Sequence, residues 1–153
     1  MLKEGDKAPA FKAKDQTGQT ISLSDFKGKK VVLFFYPEDD TPTCTIEACN
    51  LRDNFSLLKK KGFVILGVSP DEEQSHKKFI RKFDLPFSLL ADPERKIIEA
   101  YGCWAKKKLF GHEYMGVLRQ TFIIDEKGRI ERIFQKVYSK KHTQQILDSY
   151  SAK

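Results

Sequence analysis

Cysteine is scarce in this 153-residue chain, with three in all, an odd number. So few thiols cannot build the disulfide scaffold of a small secreted protein. No two of them form a C-x-x-C pair, which argues against an ordinary thioredoxin-type dithiol reductase. Long apolar runs are missing too. The longest, Val31 to Tyr36, falls far short of the roughly 18 residues that suggest a membrane span, so no membrane partner is expected. The segment Met1-Leu2-Lys3-Glu4-Gly5-Asp6-Lys7 carries charges where a secretory leader would be apolar, and a cytoplasmic location is expected. Internal repeats, low-complexity tracts and Pro/Gly/Ser linkers are absent, so a single domain over residues 1–153 is expected. A chain of about 150 residues can bury roughly two-thirds of its surface, enough for a core without disulfides or structural metal.

What is present points to a folded, basic protein. Hydrophobic residues make up 40% of the chain and include twelve phenylalanines, which excludes disorder although 32% of residues are charged. Lys+Arg number 28 against 21 Asp+Glu, a formal net charge of +7. Residues 1–40 hold seven of each sign, so the whole excess lies in 41–153. Its densest runs are Lys59-Lys60-Lys61, Lys77-Lys78 with Arg81-Lys82, Lys106-Lys107-Lys108 and Lys140-Lys141. None is interleaved with stacking aromatics, and no nucleic-acid-binding motif accompanies them. Solvated helix faces and loops are the expectation, with no nucleic acid as partner.

Periodicity gives an α/β reading. Phe11–Lys14 and Thr20–Leu23, either side of Asp15-Gln16-Thr17-Gly18-Gln19, read as an N-terminal β-hairpin. Lys30–Tyr36 and Phe63–Ser69 are continuous apolar runs, as expected of strands buried on both faces of a mostly parallel sheet. Between them Ala48, Leu51, Phe55 and Leu58 repeat at helical spacing up to Lys59-Lys60-Lys61 and a capping Gly62. A helix from Asp71 to Lys82 runs acidic to basic, the order its dipole favours. Phe87–Leu90 reads as a short strand, Asp92 to about Tyr101 as a helix, and Gln120–Ile124 with Ile130–Phe134 as a hairpin. A last helix runs from Ser139 to about Tyr150. The whole predicts a mixed central sheet flanked by helices.

Cys44 and Cys49 follow the first buried strand, at the sheet edge where α/β proteins gather ligands and catalytic groups. Cys44 is predicted in the first turn of the next helix, where unpaired N–H groups and the dipole favour a thiolate. The competing reading is a cysteine packed as a small hydrophobe. Its polar surroundings, Thr41-Pro42-Thr43-Cys44-Thr45, oppose that.

Tyr36-Pro37-Glu38-Asp39-Asp40-Thr41-Pro42-Thr43-Cys44-Thr45 resembles the peroxiredoxin active-site segment, with its Pro-x3-Thr-x2-Cys pattern. Ile46-Glu47-Ala48-Cys49-Asn50-Leu51-Arg52-Asp53 and Tyr114-Met115-Gly116-Val117-Leu118-Arg119 are similar to the bacterioferritin-comigratory (PrxQ) branch, and the likeness spans nearly the whole chain. The resemblance implies a thioredoxin-like fold and reduction of hydrogen peroxide and alkyl hydroperoxides. It further implies recycling by thioredoxin or a similar dithiol reductant, with no organic cofactor and no metal. Cys44 would be the peroxidatic nucleophile, passing to a sulfenic acid. Thr41 would turn its hydroxyl to sulfur and peroxide, Arg119 would stabilise thiolate and orient peroxide, and Pro37 would shield the sulfur from water. Cys49 would be the resolving partner in a Cys44–Cys49 disulfide. The alternative for Cys49 is a core position on the stripe of Phe55.

Two physical estimates bear on these roles. A cysteine of pKa about 8.5 is only about 3% thiolate at pH 7, so complete ionisation yields roughly thirtyfold. Enzymes typically accelerate reactions a millionfold or more, so oriented donors must supply most of the effect. On an ideal helix, residues five apart have Cα atoms about 8.6 Å apart and lie about 140° around the axis. A disulfide needs roughly 4.4–6.8 Å, so bonding requires the helix to unwind. Departures from the branch are small: Thr43 stands where glycine is frequent, and Glu38 where lysine is. Cys103 has no expected role. A metal site from Cys44, Cys49, Cys103 and His112 lacks supporting spacing. His76 and His142 read as surface residues on helices. A monomer is expected, with a weak dimer as the alternative. The functional alternative is a peroxide-sensing redox-switch binding protein that uses the same thiols and a basic surface.

Overall fold

A computed structural model describes residues 1–151. β1 (Lys12–Lys14) and β2 (Thr20–Ser22) form the expected antiparallel hairpin. β3 (Lys30–Phe35) leads into α1 (Pro42–Asp53) and α2 (Phe55–Lys60), which return the chain to β4 (Phe63–Ser69). The single helix expected between these strands is interrupted at Asn54. There the Asn54 side-chain Nδ2 donates to the Asn50 carbonyl at 2.8 Å, and the Asn54 backbone N–H turns to Arg52 instead. α3 (Glu73–Phe83) and β5 (Ser88–Ala91) follow, then the short α4 (Lys96–Ala100).

β6 (Trp104–Leu109) and β7 (His112–Val117) form a second hairpin that the sequence reading did not include. Its lysine run hides the strand alternation. The signal that was available is the turn at Phe110-Gly111, where both residues take positive φ, +51° and +81°, as a two-residue type I′ loop requires. β8 (Gln120–Ile124) and β9 (Ile130–Phe134) make the expected hairpin. A 3₁₀ turn over Ser139–Lys141 leads into α5 (His142–Asp148).

The central sheet has the order β5-β4-β3-β8-β9, with β3, β4 and β5 parallel and β8 and β9 antiparallel to their neighbours. Period-two alternation in β3 builds a core on each face. Val31, Leu33 and Phe35 join Tyr101, Phe122 and Cys103 on one side. Val32, Phe34 and Tyr36 join Leu51, Phe79, Ile123 and Cys44 on the other. Gly67 fits this crowded second face because a Cβ there would lie 2.7 Å from Leu89 Cδ2 and 2.8 Å from Phe34 Cζ. The register pairs Phe35 with Gln120. Arg119, one residue earlier, is thereby set opposite the end of β3, beside the start of α1.

Candidate active site

α1 begins with Thr41 as N-cap and Pro42 at its first position, where a missing N–H leaves nothing unsatisfied. Cys44 falls in that first turn, as the sequence predicts, and is 2% exposed. Arg119 reaches it across the sheet edge: Nη2 donates to Sγ at 3.2 Å, and Nη1 to Glu47 Oε1 at 2.9 Å. A cation this close to a thiolate contributes roughly 5 kcal/mol of attraction at an effective dielectric of about 20. A helix terminus contributes about 0.3–1 kcal/mol. The arginine is therefore the dominant electrostatic partner, and the helix end adds to it.

Thr41 and Pro37 border the same segment. The Thr41 hydroxyl donates to the Glu38 carbonyl at 2.9 Å, so its proton is held within the loop and its oxygen acts as an acceptor. Pro37 is half-buried, directly after the fully buried Tyr36. Cys49 lies on the same unbroken α1 as Cys44, half-buried, with both thiols free. Burial raises the Cys49 thiol above its ordinary value, with Arg52 opposing and Asp53 assisting. Thr43 is exposed.

Three buried polar residues of the site region were not read from the sequence. Glu47 is 0% exposed, and burial raises its carboxyl to about 7 against the opposing charge and hydrogen bond of Arg119. His142, expected at the surface, is fully buried. Its Nε2 lies 2.8 Å from the Thr121 hydroxyl, and burial lowers it to about 4. His76, also expected at the surface, is fully buried, with Nδ1 2.7 Å from Asp39 Oδ2 and Nε2 3.0 Å from the Leu90 carbonyl. A carbonyl only accepts, so Nε2 of His76 carries a hydrogen. The signal available was spacing. His76 shares the helical stripe of Phe79, Ile80 and Phe83; His142 that of Ile146; Glu47 that of Cys44, Ala48 and Leu51.

The donor atoms of Asp39, Asp71 and His76 lie within 4.8 Å of one another. They are already engaged. Asp39 accepts from Tyr36 Oη at 2.5 Å and Ser75 Oγ at 2.7 Å, and Asp71 Oδ2 from Ser69 Oγ and the Asp39 N–H, each at 2.7 Å. This is a hydrogen-bonded brace for the loop before Thr41. Cys103 lies on the opposite face of the sheet from Cys44, and His112 is exposed on the second hairpin, so the cysteine–histidine metal grouping does not assemble. Among the described residues, no helix is long and apolar enough to cross a membrane.

A mixed five-stranded sheet with a thiol at the first helix after its central strand, faced by an arginine that directly precedes the antiparallel strand β8, places the chain among thioredoxin-fold thiol enzymes. Residues 4–133 match the AhpC/TSA family. Over 145 residues the chain is 48% identical to peroxiredoxin Bcp of Bacillus subtilis (strain 168), spanning 95% of this chain and 92% of that one. Peroxiredoxin Q of Xanthomonas campestris superposes with a TM-score of 0.88 at 28% identity, over 95% of each chain. The X. campestris bacterioferritin comigratory protein, studied for its alkyl peroxide reduction activity, gives 0.88 at 27% identity over 96% of each chain. The chain belongs to the AhpC/TSA family, in its Bcp/peroxiredoxin Q branch, and is a thiol peroxidase.

Proposed function

We propose that Cys44 is the peroxidatic nucleophile for hydrogen peroxide and alkyl hydroperoxides, acting within a single domain in the cytoplasm as a monomer. The observation that carries this reading is Arg119 Nη2 at 3.2 Å from Cys44 Sγ. The sulfur attacks the terminal peroxide oxygen and the O–O bond breaks. The leaving alkoxide or hydroxide takes a proton, so thiol and hydroperoxide become sulfenic acid and alcohol or water. Arg119 holds positive charge beside the sulfur as charge passes to the leaving oxygen. Thr41 accepts the peroxide hydroxyl, and Pro37 screens the sulfur from water.

Cys49 then displaces the sulfenic oxygen, which leaves as water, forming the Cys44–Cys49 disulfide. Because α1 is continuous across both cysteines, this step requires its first turns to unwind. Thioredoxin or a similar dithiol then reduces the bond and is itself oxidised to a disulfide. The test is peroxide-dependent NADPH consumption with thioredoxin and its reductase. Wild type should turn over repeatedly, Cys44→Ser not at all, and Cys49→Ser should stop after one oxidation. A single oxidation by wild type would overturn the enzymatic cycle. A Cys44–Cys103 or intermolecular bond in non-reducing mass spectrometry would overturn the resolving role.

A further inference from the structure

The stretch that carries both cysteines is pinned at each end by polar contacts. Before it, Asp39 is fixed by Tyr36, Ser75 and His76 through its carboxylate and by Asp71 through its N–H. After it, Asn50 Nδ2 donates to the Lys140 carbonyl at 2.9 Å, and Asn50 Oδ1 accepts the Thr143 N–H at 2.8 Å. Asp40 sits at φ +59°, a left-handed joint between the first anchor and the helix, and its ion pair with Lys82 is solvent-exposed.

Inside the stretch, Glu47 makes the deepest polar contact. Its Oε1 accepts from Arg119, but its buried Oε2 has no hydrogen-bond partner. The nearest ring nitrogen, Nε2 of His142, is 3.8 Å away and engaged with the Thr121 hydroxyl. His142 Nδ1 faces Gln145 Oε1 at 2.9 Å; that oxygen only accepts, so the ring's hydrogen sits on Nδ1 and Nε2 is an acceptor. The titratable or charged groups around Glu47 are thus Arg119 at the edge of β8, His142 on α5 and Cys44 on its own helix. A proton on Oε2 would remove the charge from a buried oxygen that no hydrogen bond stabilises.

We propose that Glu47 is the latch of a bounded unwinding: residues 40–49 leave their wound form between fixed anchors at Asp39 and Asn50, and loss of the Glu47 proton loosens the latch. This rests on the Cys44–Cys49 disulfide proposed above. Burial raises wound Glu47 to about 7, whereas released into water it returns to its ordinary 4.5. The wound form therefore binds a proton that the unwound form does not. Its advantage is fully present below about 4.5 and is lost as pH rises through about 7. From pH 5 to pH 8 the wound-to-unwound ratio falls by roughly ten- to a hundredfold.

The test treats wild type and Glu47→Gln with one equivalent of hydrogen peroxide, quenches in acid and quantifies the Cys44–Cys49 peptide by mass spectrometry between pH 5 and 8. Dividing the two rates removes the ionisation of Cys49, which both proteins share. The quotient of wild type over variant should rise about tenfold or more across that range; a flat quotient overturns the latch alone. Wild type forming no Cys44–Cys49 peptide at any pH overturns the resolving role, and the latch with it. Hydrogen exchange on oxidised wild type needs no variant. Amides 45–53, whose helix acceptors are the carbonyls of 41–49, should lose protection relative to the reduced protein, while Leu58 and Lys61, bonded to Asn54 and Leu57, keep it. Exposure extending to Leu58 and Lys61, or protection kept throughout 45–53, overturns the bounded segment.

Discussion

Cys44 and Cys103 lie against opposite faces of one sheet, 2% and 0% exposed, and differ only in company. Cys103 has the Tyr101 carbonyl and Gln120 Oε1 as its polar neighbours, each at a long 3.7 Å, and burial pushes its thiol up to about 12. Cys44 is equally shielded but has a guanidinium at 3.2 Å and stands in the first turn of a twelve-residue helix. Burial by itself silences a thiol. Burial beside a fixed cation and a helix N-terminus instead surrounds the sulfur with groups that attract negative charge, which is what a nucleophilic sulfur requires.

The contrast is most easily broken by exchanging sulfur for oxygen on each face. Cys44→Ser should abolish peroxide consumption, whereas Cys103→Ser should keep it within about twofold, because its site lacks every polar partner of the first; loss of activity in both variants would show that burial matters more than company. Next in size is Arg119→Ala. Removing one oriented transition-state donor costs about 10²–10³ in rate, against roughly thirtyfold for thiol ionisation. The second-order rate constant with hydrogen peroxide should stay low as pH is raised past the thiol's ionisation; full rescue at high pH would reduce the arginine to a charge partner. The smallest effect is expected from Thr43→Gly. The side chain is exposed, so peroxide attack measured by stopped flow should change little. Glycine lowers helix propensity by about half a kcal/mol relative to threonine, so disulfide formation should quicken by roughly twofold.

The sequence made the fold legible wherever burial was symmetric or periodic. Both runs that became β3 and β4 are apolar throughout, and the terminal hairpin has alternation and an Asp-Glu-Lys-Gly turn. It was less legible where local chemistry overrode pattern, as at Asn54, whose side chain takes the carbonyl that would have continued α1. The β6–β7 hairpin was hidden because its strands bury little, and only its turn carried a signal. In the site, Cys44 came from its place after the first buried strand, whereas Thr41, Pro37 and Arg119 came from resemblance. The structure supplies the physical reason for the arginine's place, the Phe35–Gln120 register. His76 and His142 were missed because polar residue types were read as exposed, and Glu47 was given no role at all. Their helical spacing put them on buried stripes, and partners far along the chain satisfy most of their polar atoms.

Arg119 directly precedes the sheet strand β8 and Cys44 stands on the helix, so in the cycle proposed above the cation stays put while the sulfur travels. Attraction of that kind sorts oxidation states. A disulfide carries no charge and feels no pull back to the pocket, whereas a reduced thiolate does. Glu47, departing on the same helix, also gives up its hydrogen bond to the guanidinium. The vacated site then selects for the return of the reduced form, and repair of the thiol and rewinding of the helix become one event.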